Sequence, residues 1–468
     1  MSVNRRDFLR SVASISGATL ASTVSFAQTE QIQQLDASLP SPDLSGIEHV
    51  VVVMMENRSF DHLLGWMPNA NGRQAGLEYP DNNGTLHATY RLTDVRIPIR
   101  TIPMPAGVRN TTVERWMAGC APAPMTLSRL ATTRSRDLPL FSTLARNYTT
   151  LSNYFPSILS STFPNRVFQH AAQTDRLSNT LDISTLPTIW DRLQAASVSC
   201  RYYYSNVPFL ALWGLKYTGI SALYARFLLD AAAGTLPAVS FVDPRFTILD
   251  DGSGNDDHPH ADLRMGEIFL REVVTALANG PDWPKTVLVI NRDEWGGFFD
   301  HAVPPRVIAA NAIDTDLVNG KALLGCRVPV LVVSPFSRGN PEKPRIESLL
   351  YDHTSVLKLI EWRWQLEPLT ARDASNEIAN LAHALDLNNL DTSLPNLPVI
   401  PTPPWEPCFN DFSLSVGQQP IAGSSNQAMA LAQKVHNTGV DNETYDFYLL
   451  MKSERTNGWQ IPDNLRSK

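Results

Sequence analysis

Residues 50–57 read VVVVMMEN, and the chain continues as RSFDHLLG to residue 65. A continuous apolar run that is rich in β-branched residues predicts a strand buried on both faces, as in a parallel sheet covered by helices. Such a strand accounts for residues 50–55, but it does not account for the carboxylate of Glu56 and the amide of Asn57 directly after it. These two side chains are the first candidates for a functional site.

The rest of the chain repeats this pattern of short apolar runs followed by polar residues. Strand-like runs occur at AVSFVD (238–243), TVLVIN (286–291) and VPVLVVSPF (328–336). Apolar residues recur with helical periodicity at 262–277 and 355–364. Strands that alternate with helices predict an α/β fold with a central, mostly parallel sheet between helices. In such sheets, ligands bind beyond the carboxyl ends of the strands.

The N-terminal residues predict export rather than fold. NRRDFLR (4–10) contains the arginine pair Arg5 and Arg6, followed by a mild apolar stretch and a small-residue cleavage pattern that ends at Ala27. Residues 1–27 are therefore interpreted as a twin-arginine signal peptide, which directs a protein to the periplasm or outside the cell through the twin-arginine machinery. A flexible basic N-terminus followed by an apolar helix is the alternative.

The remaining chain is interpreted as one elaborated domain. We expect a catalytic domain over residues 28–390, with an insertion near 66–130, and a Pro-rich wrap and C-terminal tail over 391–468 on the surface of the same domain. The formal net charge is −7, and residues 1–27 carry three arginines and one aspartate, so the rest of the chain carries −9. This acidic balance argues against a nucleic acid as partner.

The four cysteines leave the disulfide pattern open. Cys120, Cys200, Cys326 and Cys408 allow three pairings in an oxidising compartment, and each of them is otherwise a buried free thiol. Their wide separations do not indicate a zinc site.

Acidic or amide side chains follow three of the predicted strands: Glu56-Asn57, Asp243 and Asp293-Glu294. Neighbouring side chains on a strand point to opposite faces, so the last pair can share one ion only if the strand breaks into a loop, as Gly296 and Gly297 indicate. Carboxylate and amide oxygens suit a hard divalent cation such as Mg²⁺, Ca²⁺ or Mn²⁺. The alternative is a helix cap at Glu56 and a solvated turn at Asp293.

The stretch SSTFPNRVFQHAA (160–172) predicts a helix that begins near its hydroxyl residues. Pro164 disfavours helical geometry before it and suits a first turn, which places Ser161 or Thr162 at the N-terminus of the helix. The backbone amides and the helix dipole favour an anion there. A hydroxyl at this position is either an N-cap or a nucleophile that faces a phosphate.

Six stretches resemble, in order, the signature blocks of one family: ENRSFDHLLG (56–65), TFPNR (162–166), NDDHPHAD (255–262), DEWGGFFDHAVPP (293–305), SPFSRG (334–339) and DHTSVLKLIEWRW (352–364). It is the phosphoesterase family of bacterial phospholipases C, plant non-specific phospholipases C and a related acid phosphatase. Its fold resembles that of alkaline phosphatase and the sulfatases, with a central, mostly parallel sheet between helices. Sulfatases carry Cys-x-Pro-x-Arg where this chain has Thr162, which argues against sulfate ester hydrolysis.

The resemblance implies roles for particular residues. A divalent metal would be held by five residues, of which the threonine would also be the nucleophile: Glu56, Asn57, Thr162, Asp293 and Glu294. His258 would contact the phosphoryl group or the leaving oxygen with Asp257 as its neighbour, and Asn165 belongs to the catalytic nucleophile motif. His301 and His353 are similar in position to histidines that line the pocket.

The function implied by the resemblance is an exported, metal-dependent phospholipase C that releases diacylglycerol and a phosphorylated headgroup through a phospho-threonine intermediate. The alternatives are a non-specific acid phosphatase for soluble phosphomonoesters and a non-enzymatic binding protein. The implied partners are a phospholipid or another phosphate ester, a peripheral contact with a membrane, and the export machinery. The aromatic stretch 201–217 suits a cation–π cage for choline or, as we favour, an ordinary core.

Overall fold

The computed structural model describes residues 27–80, 86–92, 130–248, 254–259, 261–313, 317–403 and 443–462. Within these ranges the strands are β1 (His49–Met55), β2 (Glu78–Pro80), β3 (Leu86–Ala88), β4 (Tyr90–Arg91), β5 (Ala131–Thr132), β6 (Thr149–Leu151), β7 (Tyr154–Phe155), β8 (Cys200–Tyr204), β9 (Ser221–Leu223), β10 (Val239–Val242), β11 (Thr286–Arg292), β12 (Arg306–Ile308), β13 (Lys321–Leu323), β14 (Val330–Val333), β15 (Ile346–Glu347) and β16 (Tyr351–Asp352). Residues 27–38 are helical, and the α-helices named below are α1 (Phe60–Leu64), α2 (Pro139–Asn147), α3 (Thr162–Ala171), α4 (Ile189–Ala195), α5 (Tyr224–Ala233), α6 (Leu263–Asn279), α7 (Thr354–Trp364), α8 (Ala371–Ala374) and α9 (Glu443–Lys452).

An eight-stranded sheet organises these elements in the order β15-β6-β14-β11-β1-β10-β8-β9. β1 lies between β11 and β10 and pairs parallel with both, so that Val50 is opposite Val287 on one side and Val239 on the other. β14 runs antiparallel to β11 and β6, and the other pairs in this sheet are parallel. The predicted α/β fold with a central, mostly parallel sheet is confirmed.

Helices cover both faces of this sheet. Along β1, Val50 and Val52 pack into the core on one face, and Val51 and Val53 pack into the core on the other. Side chains of α3, α4 and α7 complete the first core, and side chains of α2, α5 and α6 complete the second. The four valines are at most 1% exposed, and each contributes about 1.5–3 kcal/mol of hydrophobic stabilisation. The apolar run forms the centre of the sheet because both of its faces are buried.

The aromatic residues of 201–217 belong to the first of these cores, except Tyr203, which packs into the second. Tyr202, Phe209 and Trp213 pack around His170 of α3, with ring centroids 6.4, 6.0 and 6.2 Å from the imidazole. Burial lowers the pKa of His170 to about 3, so this imidazole stays neutral. The stretch is therefore part of the ordinary hydrophobic core.

The Pro-rich segment runs along the surface beside α6. Trp283 Nε1 donates to the Thr392 carbonyl oxygen at 3.1 Å, and Arg271 Nε donates to the Pro398 carbonyl oxygen at 3.0 Å. Residues 404–442 lie outside the described residues, and the described chain returns with α9.

Several other expectations concern residues that are only partly described. Residues 1–26, which hold nearly all of the predicted signal peptide, and most of the predicted insertion lie outside the described ranges. Cys326 is disulfide-bonded and Cys200 is a free thiol, while Cys120 and Cys408 lie outside those ranges. In the part of the chain that the structure describes, no helix combines the length and the apolar character that crossing a bilayer requires.

Candidate active site

The carboxyl ends of three neighbouring strands bring the predicted acidic residues together. β11, β1 and β10 are adjacent and parallel, and Met55 lies opposite Arg292 in the register. Glu56 and Asp293 therefore leave the sheet side by side, and the Asp293 amide donates to the Met55 carbonyl oxygen at 3.1 Å. Asp243 follows β10 at the same edge. This is the edge at which parallel sheets bind ligands.

A tight turn follows both β1 and β11. Asn57 has a φ of 40°, and its amide donates to Asp293 Oδ1 at 3.0 Å. Gly296 has a φ of 63°, and a Cβ there would lie 2.4 Å from the Asn57 carbonyl oxygen. The Gly296 amide donates to Glu294 Oε2 at 2.7 Å. The loop break that the paired glycines indicated is present, and it requires glycine because the two backbones approach so closely.

Thr162 is the first residue of α3, and its hydroxyl points to the end of β1. Its Oγ1 donates to Glu56 Oε2 at 3.1 Å, and both residues are fully buried. The Ser161 hydroxyl instead donates to Asn179 Oδ1 at 3.0 Å. The two hydroxyls that the sequence left open therefore have different partners, and the one that faces a carboxylate at the strand ends belongs to Thr162.

The N-terminus of α3 offers fewer amides to an anion than the sequence suggested. The Phe163 amide donates to Asn179 Oδ1 at 2.8 Å, and Pro164 has no amide hydrogen. Two of the first three helical residues are thus unavailable to a phosphate. A phosphate bound at Thr162 would therefore rely on side chains more than on helix amides.

Arg166 joins this group, although sequence reasoning gave it no role of its own. Its Nε and Nη2 donate to Glu56 Oε1 at 2.9 and 2.6 Å, and its Nη1 donates to Asp243 Oδ1 at 3.1 Å. Burial opposes the charge of Arg166, but the two carboxylates hold its pKa above the ordinary value. The two carboxylate oxygens of Glu56 therefore have different partners: Oε1 accepts from Arg166, and Oε2 accepts from Thr162.

Asn165 faces the loop before α3. Its Nδ2 donates to the carbonyl oxygens of Ser160 and Ser161 at 3.0 and 3.1 Å, and its Oδ1 accepts from the Ile158 amide at 3.2 Å. These bonds hold the backbone that leads into Thr162. The contacts of Asn165 are those of a residue that positions the loop before Thr162.

The loop that carries His258 is fastened to the end of β1. The Glu56 amide donates to the Asp256 carbonyl oxygen at 2.7 Å. Arg58 donates from Nε to the Asp257 carbonyl oxygen at 2.7 Å and from Nη2 to the His258 carbonyl oxygen at 3.1 Å. These bonds place the His258 backbone beside the turn after β1, and the contact of its side chain with a phosphoryl group stays a prediction.

The Asp257 carboxylate has a partner that the sequence did not indicate. Its Oδ2 accepts from Arg292 Nη2 at 2.7 Å, and both side chains are at most 5% exposed. Burial raises the pKa of Asp257, and the Arg292 guanidinium opposes that rise. The carboxylate of Asp257, the implied neighbour of His258, thus ties the His258 loop to the last residue of β11.

His301 lies in a second acidic group with Asp61 and Asp300, whose ligand atoms lie within 4.8 Å of one another. Its Nδ1 is 2.5 Å from Asp61 Oδ2. Arg327 is fully buried, and it donates from Nε to Asp300 Oδ1 at 2.9 Å and from Nη2 to Asp61 Oδ1 at 3.4 Å. A guanidinium already supplies the positive charge here, so this group fits an ion-pair network better than a metal site.

His353 lies beneath the predicted ligand Asp293. Its Nε2 lies 2.8 Å from the Asp293 carbonyl oxygen, and Nε2 carries the hydrogen because a carbonyl oxygen only accepts. Its Nδ1 then accepts from the Tyr154 hydroxyl at 3.1 Å. Burial lowers the pKa of His353 to about 4, so it stays neutral. Its contacts are those of a residue that holds the Asp293 backbone in place.

The residues at the strand ends fit a divalent cation. Asp293 is fully buried, and its Oδ2 has no hydrogen-bond partner among the described residues. A buried carboxylate oxygen in that state is unfavourable unless a cation or a donor meets it. The available donors are carboxylate, amide and hydroxyl oxygens, the ligands that hard cations prefer. The residues that would hold such a cation are Glu56, Asn57, Thr162, Asp293 and Glu294.

Comparison with known proteins identifies relatives of this chain. Non-specific phospholipase C6 of Arabidopsis thaliana is 32% identical over 371 residues, which cover 70% of this chain and 71% of the relative. Phospholipase C A of Mycobacterium tuberculosis (strain ATCC 25618 / H37Rv) is 28% identical over 440 residues, covering 78% and 81%. A solved protein of the alkaline phosphatase superfamily from Vibrio parahaemolyticus covers 72% of this chain and 70% of its own, at 8% identity and a TM-score of 0.38. That level of structural similarity carries no further argument.

The model of the Phosphoesterase family matches residues 47–367. The match begins just before β1 and includes the turns after β1 and β11, the start of α3 and the His258 loop. The predicted resemblance and the predicted enzyme class, a phosphoric ester hydrolase, are confirmed. A chain that matches over this range, with the acidic strand ends and the buried threonine in place, belongs to the phosphoesterase family.

Proposed function

We propose that this protein is a metal-dependent phospholipase C that hydrolyses phospholipids to diacylglycerol and a phosphorylated headgroup. The observation that carries the proposal is the hydrogen bond from Thr162 Oγ1 to Glu56 Oε2 at 3.1 Å, inside a buried group of carboxylates. The names of the relatives, phospholipases C of a plant and of mycobacteria, support the substrate class.

Thr162 acts as the nucleophile in this proposal, and Glu56 receives its proton. Arg166 holds Glu56 Oε1, so that Oε2 remains directed at the threonine hydroxyl. Attack of Oγ1 on phosphorus forms the phospho-threonine, and the leaving glycerol oxygen takes a proton from His258. Water then attacks the phosphorus of the phospho-threonine while His258 takes its proton, the bond from phosphorus to the Thr162 oxygen breaks, and Glu56 returns its proton to that oxygen. A divalent cation held by the residues at the strand ends would neutralise charge on the phosphoryl oxygens and would favour ionisation of the threonine hydroxyl.

The nucleophile is tested by Thr162→Val, which keeps the shape of the side chain and removes the oxygen. Turnover of phosphatidylcholine should fall by about 10³-fold or more, as for other lost nucleophiles, while the protein stays folded. Ser161→Ala is the matched control, because its hydroxyl bonds Asn179 rather than Glu56. Rapid quenching with labelled substrate should trap phosphate on the peptide that contains Thr162. Label on Ser161, or near-normal turnover by the valine variant, contradicts the assignment.

The substrate class and the metal are tested together. Purified protein is depleted with a chelator, and release of headgroup from phosphatidylcholine is compared with hydrolysis of a soluble aryl phosphate after Mg²⁺, Ca²⁺ or Mn²⁺ is returned. We expect restored hydrolysis that favours the phospholipid, and Asp293→Asn should lose both the bound metal and the activity. Faster hydrolysis of the aryl phosphate indicates the acid phosphatase instead. Full activity after verified removal of the metal contradicts the metal dependence.

We also propose that the protein is exported by the twin-arginine pathway and contacts the membrane peripherally through its substrate. The arginine pair in residues 4–10 supports this, and so does the disulfide at Cys326, since disulfides persist in oxidising compartments. Replacement of Arg5 and Arg6 by lysine should leave precursor in the cytoplasm. Normal amounts of processed, exported protein from that variant overturn the signal assignment.

A further inference from the structure

The C-terminal helix α9 touches the segment that carries the nucleophile. α9 spans Glu443–Lys452, whereas the family match ends at residue 367. We propose that Asp446 and Phe447 of α9 are positioning residues that hold the start of α3 for catalysis. The inference rests on the proposed function for the role of Thr162 as the nucleophile, and it assigns to the C-terminal tail a part in the reaction.

A polar path connects α9 to both neighbours of Thr162. Asp446 Oδ2 accepts from Asn179 Nδ2 at 2.9 Å. The Asn179 Oδ1 accepts from the Ser161 hydroxyl at 3.0 Å and from the Phe163 amide at 2.8 Å. The carboxylate of Asp446 fixes which way the amide of Asn179 faces, because a carboxylate accepts from the NH₂ and leaves the carbonyl oxygen for α3. Asp446 therefore sets the donor–acceptor pattern on both sides of the nucleophile.

An apolar path runs through the next residue of α9. The ring of Phe447 stacks on Phe246, with centroids 3.9 Å apart and planes 12° apart, and meets the edge of Phe163 at 5.4 Å. The other ring of this stack, Phe246, lies 4.7 Å from the Arg166 guanidinium carbon. Phe447 is 1% exposed. It therefore packs against the residue after the nucleophile and supports the ring on which Arg166 rests.

The two paths restrain the two groups that share the Glu56 carboxylate. The polar path fixes the backbone around Thr162, whose hydroxyl meets Glu56 Oε2. The apolar path supports Arg166, which holds Glu56 Oε1. Loss of residues that orient a catalytic group typically costs about 10- to 100-fold in activity, and a misplacement of about 1 Å can have an effect of that size. We expect losses in that range, mainly in kcat, when either path is cut.

The first test compares variants of α9 that cut a path with one that does not. Asp446→Ala and Phe447→Leu should lower kcat by about 10- to 100-fold with little change in KM, and Asp446→Asn should recover most of the loss because it keeps an acceptor oxygen. Leu450→Ala is the matched control, since Leu450 is fully buried on the same helix. At temperatures where all variants are folded, Leu450→Ala should keep near-normal kcat. An equal loss of kcat in all of them, or no rescue by asparagine, overturns the inference.

The second test does not depend on turnover. Hydrogen–deuterium exchange of peptides that cover residues 158–171 should rise in Asp446→Ala and Phe447→Leu, and should remain at the wild-type level in Leu450→Ala. Unchanged exchange in the first two variants overturns the inference even if their activity falls. If the wild type cleaves no phosphate ester but the exchange pattern is as expected, the proposed function fails while the coupling between α9 and α3 stands.

Discussion

Replacement of Arg166 by methionine removes a buried positive charge and leaves the carboxylates of Glu56 and Asp243 without their ion-pair partner. Arg166 is 2% exposed, Glu56 is fully buried and Asp243 is 5% exposed. Breaking a buried ion pair by removing one partner costs about 3–5 kcal/mol. Because two carboxylates share this guanidinium, we expect a loss of about 5 kcal/mol in the free energy of unfolding at neutral pH, the upper end of that range. Such a loss is a large part of the total stability of a domain, about 5–15 kcal/mol.

The pH dependence of this loss follows from the carboxylates. Burial already raises the pKa of Asp243, and Arg166 opposes the rise. Without the guanidinium, the pKa of Asp243 rises further, and the folded variant holds its proton over a wider pH range. A carboxyl group with a raised pKa stabilises the fold fully below its unfolded pKa, and that contribution is lost as the pH rises through the folded pKa. The deficit of Arg166→Met relative to the wild type should therefore shrink at acidic pH.

Urea denaturation of both proteins near pH 4.5 and pH 7.5 measures this deficit. Arg372→Met is the matched control, because Arg372 is also fully buried and pairs at 2.9 Å with Asp352 rather than with Glu56 or Asp243. Both variants should lose stability, but only Arg166→Met should lose turnover while folded. Adding Asp243→Asn to Arg166→Met should restore part of the stability and none of the activity, since Glu56 still lacks its partner. A folded Arg166→Met with wild-type turnover, or a deficit that is equal at both pH values, refutes the reasoning.

Two further predictions concern buried features around the site. Burial raises the pKa of Glu267 from 4.5 to about 8, so the stability that this group contributes is complete below pH 4.5 and is lost as the pH rises to 8. Glu267→Gln should therefore lessen the fall in the free energy of unfolding between pH 5 and pH 8, by about 1.4 kcal/mol per pH unit for this group. Parallel curves of unfolding free energy against pH for the variant and the wild type contradict this. Gly296→Ala should lower turnover by at least about 10-fold because a Cβ would meet the Asn57 backbone, a steric effect of the kind that displaces catalytic groups. Gly76→Ala is its control, since Gly76 has a similar φ of 69° and nothing within 4 Å of a Cβ, and equal losses in both variants would show that backbone strain alone is responsible.

The fold and the position of the site could be predicted because they depend on local patterns. The valine run of β1 identifies a strand buried on both faces, and parallel strands bring their carboxyl ends to one edge. The acidic residues after β1, β10 and β11 then meet without any knowledge of distant contacts. What the resemblance adds is the identity of Thr162 as the candidate nucleophile and of His258 as its partner in the reaction.

The orientation of individual side chains could not be predicted in the same way. His353 and Asn165 occur in the signature blocks, but the first turns to the Asp293 carbonyl oxygen and the second to the loop before α3. The partner of Asp257 is an arginine 35 residues away in the sequence. Such contacts depend on which chain segments pack together, and the sequence motif of a single segment does not specify them. The contact of α9 with Asn179 spans 267 residues and is of the same kind.

Arg166 differs from these residues, because the direction in which its side chain points follows from the spacing of residues within a single helix. Residues four apart lie on the same face of a helix, so Thr162 and Arg166 of α3 both face the end of β1. One hydroxyl and one guanidinium thus reach the two oxygens of the same carboxylate, Glu56 Oε2 and Oε1. A residue that replaced Arg166 without a positive charge would leave Glu56 free to turn, and Thr162 would lose a directed acceptor for its proton. The T-x-x-x-R spacing in residues 162–166 therefore indicates that both side chains lie on one face of the helix, and the structure shows that they share the glutamate after β1.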